Sequence, residues 1–178
     1  MLRYPRHVPA SAVVVMGASG SGKSTIGRLL ADRLACDFVD ADDLHPDANK
    51  AKMHAGIPLT DEDRSPWLHL VGRAIATEVD AGREVVVACS ALKRAYRDIL
   101  RSAAPGVEFL YLDGSRELLA QRLSARSGHF MSPTLLDSQL ATLEPLQSDE
   151  LGIVVGIADN PASMVDAAVA ALQTFDED

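Results

Sequence analysis

The sequence predicts an α/β protein built on a five-stranded, mostly parallel sheet with helices on both faces. Three observations carry this. Short apolar, β-branched runs alternate with amphipathic helical stretches along the chain. No linker, repeat or low-complexity tract interrupts them. The first apolar run feeds directly into a glycine-rich loop that opens a helix. At 178 residues the chain fits one domain, residues 1–178.

Ala12 to Met16 is apolar and valine-rich, the signature of a buried strand. It is followed by Gly17-Ala18-Ser19-Gly20-Ser21-Gly22-Lys23-Ser24, which fits the phosphate-binding pattern G-x-x-x-x-G-K-[ST]. Thr25 to Leu34 then places Ile26, Leu29, Leu30 and Leu34 on one helix face. Glycines let such a loop curl its N–H groups inward, and the helix N-terminus adds partial positive charge. Lys23 is placed to reach β- and γ-phosphates, and the Ser24 hydroxyl to ligate Mg²⁺.

Phe38-Val39-Asp40 reads as the second strand, and residues 46–54 as a polar helix stopped by Gly56 and Pro58. Thr60-Asp61-Glu62-Asp63 marks a helix start that runs through Trp67, Leu68, Val71, Ile75 and Val79 to Gly82. Residues 84–89 form the third strand, followed by a basic helix through Tyr96, Ile99 and Leu100. Residues 108–112 are the fourth strand and 116–126 a further helix. After a loop over 127–133, residues 135–143 read as helix, 152–157 as the last strand and 162–175 as the closing helix. Ligands of such sheets sit at the carboxyl ends of the strands.

Composition narrows the function classes. Hydrophobic residues make up 47% of the chain, enough for a core. No apolar run approaches the ~20 residues that span a bilayer. The net charge is −8, and residues 127–178 hold nine acidic side chains and no Lys or Arg. Such a chain lacks the basic face that nucleic acid or an anionic membrane requires. Cys36 and Cys89 alone make no disulfide framework and fit a reduced, cytoplasmic protein.

Four clusters carry candidate chemistry. After the second strand, alternation along an extended chain places Asp40 and Asp42 on one side. One can hold Mg²⁺ through water and the other can accept a proton from an attacking hydroxyl. Asp43 is expected to cap the next helix. His45 is open to either a substrate contact or the surface.

The second cluster is residues 52–68. Arg64 sits in the first turn of a helix, where the dipole disfavours a cation. Neighbouring acids or a substrate carboxylate would offset it. Trp67 fits a core anchor at least as well as a substrate wall. The third cluster follows the third strand, which lacks a Walker B acid, so Mg²⁺ depends on Ser24, Asp40, phosphates and water. Ser90 lies where it could touch substrate. Lys93 and Arg97 are four apart on one helix face, while Arg94 and Arg101 are expected to be solvated. Cys89 reads as a small core residue. In the fourth, Arg122 and Arg126 precede a Gly128 loop, suggesting a small lid of about residues 122–133 over the phosphoryl group.

Taken in order, these blocks resemble the gluconokinase family, of the small P-loop type, from Met16 to about Glu150. The resemblance rests on GASGSGKST, Asp40-x-Asp42-x-Leu44-His45-Pro46, Asn49 with Lys52-Met53, and Gly56 through Leu68. It also rests on Cys89 through Lys93, Tyr96-Arg97-Asp98, Gly128-His129-Phe130, Leu136 and Gln139. One departure is Ala41, where relatives usually have Gly. The resemblance implies a P-loop kinase fold and ATP- and Mg²⁺-dependent phosphorylation of D-gluconate to 6-phosphogluconate. It implies a cytoplasmic enzyme, often a homodimer, with no nucleic-acid or membrane partner. Nucleotide would be held by Gly17 through Thr25 with Arg122 and Arg126, and by Asn160 and Pro161 at the adenine. Substrate would meet Asp42, His45, Lys52, Arg64, Ser90, Lys93, Arg97 and His129. Ser24 and Asp40 would hold the metal, and Lys23, Asp42, Arg122 and Arg126 would be catalytic. A shikimate kinase would show a glycine run where this chain has Cys89-Ser90-Ala91. A nucleoside monophosphate kinase would need a base pocket, and a GTPase an Asn-Lys-x-Asp motif, which does not occur. A nucleotide-binding module without turnover is the alternative from another class.

Overall fold

A computed structural model describes residues 11–125 and 133–175, without side chains for 173–175. Five strands form one sheet: β1 (Ala12–Met16), β2 (Asp37–Asp40), β3 (Val85–Ala88), β4 (Glu108–Asp113) and β5 (Gly152–Gly156). Their order is β2-β3-β1-β4-β5, and every pairing is parallel. Parallel strands need crossovers, and helices supply them: α1 (Lys23–Leu34), α2 (Asp47–His54), α3 (Asp61–Asp80), α4 (Arg94–Ala103), α5 (Arg116–Ser124), α6 (Pro133–Thr142) and α7 (Pro161–Phe175). Element boundaries fall within a few residues of those the sequence predicts.

Strand alternation divides the core in two. Val14, Met16, Val85, Val87, Phe109 and Tyr111 face one side, where Trp67, Leu68, Val71 and Ile75 of α3 and Leu100 of α4 cover them. Val13, Val15, Val86, Leu110 and Leu112 face the other, under Ile26 and Leu30 of α1, Leu119 of α5 and Val165 of α7. The central strands are apolar on both faces because helices cover both. β1 is central, so the loop after Met16 emerges mid-sheet at the carboxyl edge.

One element departs from expectation. The chain after β2 is not extended; Ala41–Leu44 coils into a 3-10 turn. Asp40 caps it, its Oδ1 accepting the Asp42 N–H at 3.1 Å. Local side-chain-to-backbone bonding thus overrides strand alternation. Asp43 caps no helix, since Pro46 is the residue that precedes α2. Ala41 is fully buried and is not among the residues of positive φ, so the departure from Gly strains nothing. The start of α3 is as expected: Thr60 Oγ1 accepts the Asp63 N–H, and the Asp63 carboxylate accepts the Thr60 N–H, a capping box.

Candidate active site

The glycine loop wraps the N-terminus of α1. Gly17 has φ +145°, and a Cβ there would stand 2.8 Å from the Leu112 carbonyl oxygen. Gly22 precedes α1 at φ +92° and offers no side-chain cap, and no acid occupies the first turn. The first N–H groups of α1 are therefore open to an anion. The Ser21 hydroxyl is buried in the loop without a hydrogen-bond partner among the described residues. Lys23 Nζ donates to the Ala18 carbonyl at 3.1 Å, curled back over the loop. Gln139 of α6 accepts the Ser19 N–H at 2.7 Å, so both ends of the Ala18–Ser19 peptide are held.

Beside the loop, Ser24 Oγ donates to Asp40 Oδ2 at 2.7 Å. Hard oxygen donors converging at a helix N-terminus suit Mg²⁺. No cluster of three or more His, Cys, Asp or Glu suited to a metal occurs among the described residues. Donors from phosphate and water would thus have to complete any coordination shell. Asp42 stands next to this pair with its side chain 74% exposed. It opens to solvent yet has protein around it, and that desolvation raises its pKa more than nearby Lys23 lowers it. Asp40 and Asp43 push it the same way. A raised pKa makes the carboxylate a better proton acceptor.

His45 is not a surface residue. Its side chain is 3% exposed and stacks on Trp67, ring centroids 4.0 Å apart at 15°. Trp67 is a core anchor, 1% exposed, with Nε1 donating to the Ala41 carbonyl at 2.7 Å. Cys89 is a core residue too, and burial pushes its thiol up to about 12. Asp42, Lys23 and Arg64 all act on that thiol, which gathers them around the end of β3.

The expected cations divide sharply. Arg64 is half-buried, its Nε donating to the Leu59 carbonyl at 3.4 Å and its guanidinium over the Tyr96 ring at 5.7 Å. No carboxylate lies within 4.0 Å of it among the described residues. Lys93 is spoken for: Nζ lies 2.9 Å from both Asp61 oxygens, and Tyr96 also donates to Asp61. Those hydrogen bonds, Tyr96 first, hold Asp61 below its usual range. Lys52 Nζ binds Asp63 at 2.7 and 2.8 Å.

Arg97 is a correction. It does not share a face with Lys93, which precedes α4, and it does not reach the site. It is 0% exposed and grips Glu150 through two bonds of 2.7 and 2.8 Å. The same guanidinium donates to the Ala91 and Glu144 carbonyls, both at 3.1 Å. It thereby steadies Ala91, which takes the left-handed conformation, φ 42°, where a glycine would sit without strain. Arg94 and Arg101 are not free in solvent either: Arg94 pairs with Asp149 at 2.6 Å, and Arg101 with Asp98.

Ser90 is half-buried at the carboxyl edge, its carbonyl accepting the Gly17 N–H at 3.3 Å. Arg122 donates to the Ile157 carbonyl ahead of α7, rather than reaching over the glycine loop. Asn160 caps α7 through Oδ1 to the Ser163 N–H at 3.0 Å, and Pro161 is its first residue. Arg126 and His129, with most of the expected lid, lie outside the described residues. Asn49, Asp61, Gln139 and Glu150 bind site or scaffold residues that sequence spacing does not connect to them.

A family model described as an AAA domain matches residues 13–146. The chain is 46% identical over 164 residues to a gluconokinase of Gluconobacter oxydans (strain 621H), covering 92% of each. It is similar to the crystal structure of a sugar kinase from Janibacter sp. HTCC2649, with 49% identity and a TM-score of 0.89 over 93% of this chain and 95% of that one. It is also similar to a gluconokinase structure from Sinorhizobium meliloti 1021, with 46% identity and a TM-score of 0.88 over 97% and 96%.

Proposed function

This chain belongs to the gluconokinase family, and we propose that it phosphorylates D-gluconate with ATP by in-line transfer of the γ-phosphoryl group to the 6-hydroxyl. The observation that carries the mechanism is one edge of the sheet. Lys23, the Ser24–Asp40 pair, Asp42 and the carboxylate-free Arg64 meet there. The 6-hydroxyl oxygen bonds to the γ-phosphorus as the bond from phosphorus to the ADP oxygen breaks. The hydroxyl proton goes to the Asp42 carboxylate. Lys23 neutralises charge on the phosphoryl oxygens, which is mostly a transition-state effect. Ser24 and Asp40 would hold Mg²⁺, which when bound neutralises the β- and γ-phosphates.

Arg64 is the side chain that best suits the gluconate carboxylate, because the other cations near it already face acids. His45 serves from behind Asp42 and Ser90 from the neighbouring loop. Lys93 and Lys52 serve through Asp61 and Asp63. The protein acts as a single domain over residues 1–178, with a lid of about residues 122–133 carrying Arg122, Arg126 and His129. Asn160 and Pro161 would serve the adenine. We further propose a magnesium-dependent, cytoplasmic homodimer, as the sequence resemblance suggests. No helix among the described residues is long and apolar enough to cross a membrane.

Two substitutions test the roles of the carboxylates. Asp42→Asn keeps size and one acceptor but loses charge. It lowers kcat on the order of 10²-fold with the KM for ATP nearly unchanged. Asp40→Asn instead raises the Mg²⁺ concentration needed for half-maximal rate. Normal turnover by Asp42→Asn, with only Asp40→Asn impaired, would reverse the two assignments.

A further inference from the structure

We propose that His45 is a positioning residue for Asp42, held by Asn49 in the one tautomer that can serve it; this rests on Asp42 being the acceptor of the hydroxyl proton. The imidazole is buried while the Asp42 carboxylate in front of it is open, at 3% and 74% side-chain exposure. A ring so enclosed contributes through a neighbour rather than by holding substrate itself. Its plane is set by stacking on Trp67, which is itself pinned to the Ala41 carbonyl.

The tautomer follows from hydrogen-bond polarity. Asn49 is 4% exposed and on α2. Its Nδ2 lies 2.8 Å from the Asp63 carbonyl oxygen, which only accepts, so the amide nitrogen must face that way. The same nitrogen stands 3.3 Å from His45 Nδ1. With one amide hydrogen on Asp63, the other points at Nδ1 and makes it an acceptor. A neutral imidazole then carries its proton on Nε2. Nε2 is 4.0 Å from Asp42 Oδ1. That gap is too long for a hydrogen bond, but a small rotation of the open Asp42 side chain closes it. One carboxylate oxygen is then tied to the Nε2–H, and the other is turned to the acceptor hydroxyl. Asn49 belongs to a wider brace: Asp63, whose carbonyl it binds, also holds Lys52 and caps α3 just ahead of Arg64. The geometry of the base and of Arg64 therefore shares one anchor.

The test uses three variants of the full chain with ATP, Mg²⁺ and gluconate. His45→Gln keeps both polarities, an acceptor for Asn49 and an N–H for Asp42; His45→Leu keeps neither. Both lose the stack on Trp67, so their melting temperatures fall together. His45→Leu lowers kcat about tenfold, the scale of one hydrogen bond to a charged group, with little change in either KM. His45→Gln retains kcat within about threefold. In the Asp42→Asn background, His45→Leu adds no further loss, because the two act as a unit. Equal loss of kcat in both His45 variants, a rise in the gluconate KM instead, or full additivity with Asp42→Asn would overturn the proposal. Unimpaired Asp42→Asn would overturn the assignment of Asp42, and the role of His45 with it.

Discussion

The environment of His45 sets both its chemistry and a pH dependence of stability. Burial against Trp67 lowers its pKa to about 4, and Arg64 and Lys50 add to the effect. An unfolded histidine titrates near 6.5. The folded state therefore binds a proton less readily than the unfolded one. The stability that His45 contributes is complete above about pH 6.5 and drains away as pH falls toward 4. Urea midpoints across that window should fall for the native chain and fall less steeply for His45→Gln. Parallel curves for the two would mean that His45 is solvated in solution. Arg64 stands out by a different route. A cation in the first turn of α3 opposes the helix dipole, and no carboxylate within 4.0 Å offsets it among the described residues. Asp61, whose pKa Arg64 helps to lower, offsets that charge only at a distance, and a guanidinium without a direct carboxylate partner favours an anionic ligand.

At the scale of elements, Arg97 joins three pieces of chain that the sheet alone would leave loose. Its guanidinium connects the β3–α4 loop at Ala91, the segment after α6 at Glu144, and Glu150 ahead of β5. A buried pair adds little net energy compared with apolar packing, but removing one partner leaves the other charge stranded. Arg97→Ala should therefore cost about 3–5 kcal/mol in urea denaturation. An unchanged midpoint with a raised gluconate KM would return Arg97 to the substrate site. The same comparison shows where sequence reading reaches. The Thr60–Asp63 capping box and the strand and helix periods are local, and they were legible. The 3-10 turn at Ala41–Leu44 was not, because a four-residue turn carries no period and the Asp40 cap competes with alternation.

Over the whole molecule, the glycine loop, β1 and α1 are contiguous, so the nucleotide end of the site could be read from one stretch. The rest is assembled from distant residues. Ser19 and Gln139 are 120 apart, Arg97 and Glu150 are 53 apart, and Lys93 and Asp61 are 32 apart. Helical spacing placed Lys93 and Arg97 together, but it cannot report which acids lie across the fold to claim them. The parallel order β2-β3-β1-β4-β5 sets the ends of β2 and β3 beside the end of β1, delivering Asp40 and the Ser90 loop beside the glycine loop. Phosphoryl transfer demands little beyond such placement and charge neutralisation. The most direct measurement is product formation by the purified protein with Mg²⁺ and ATP, offered gluconate, other sugar acids, shikimate and nucleoside monophosphates in parallel. The result expected is ADP and 6-phosphogluconate in equal amounts from gluconate, with the other acceptors left essentially unphosphorylated. ATP bound without turnover of any acceptor, or another acceptor phosphorylated while gluconate is not, would contradict it.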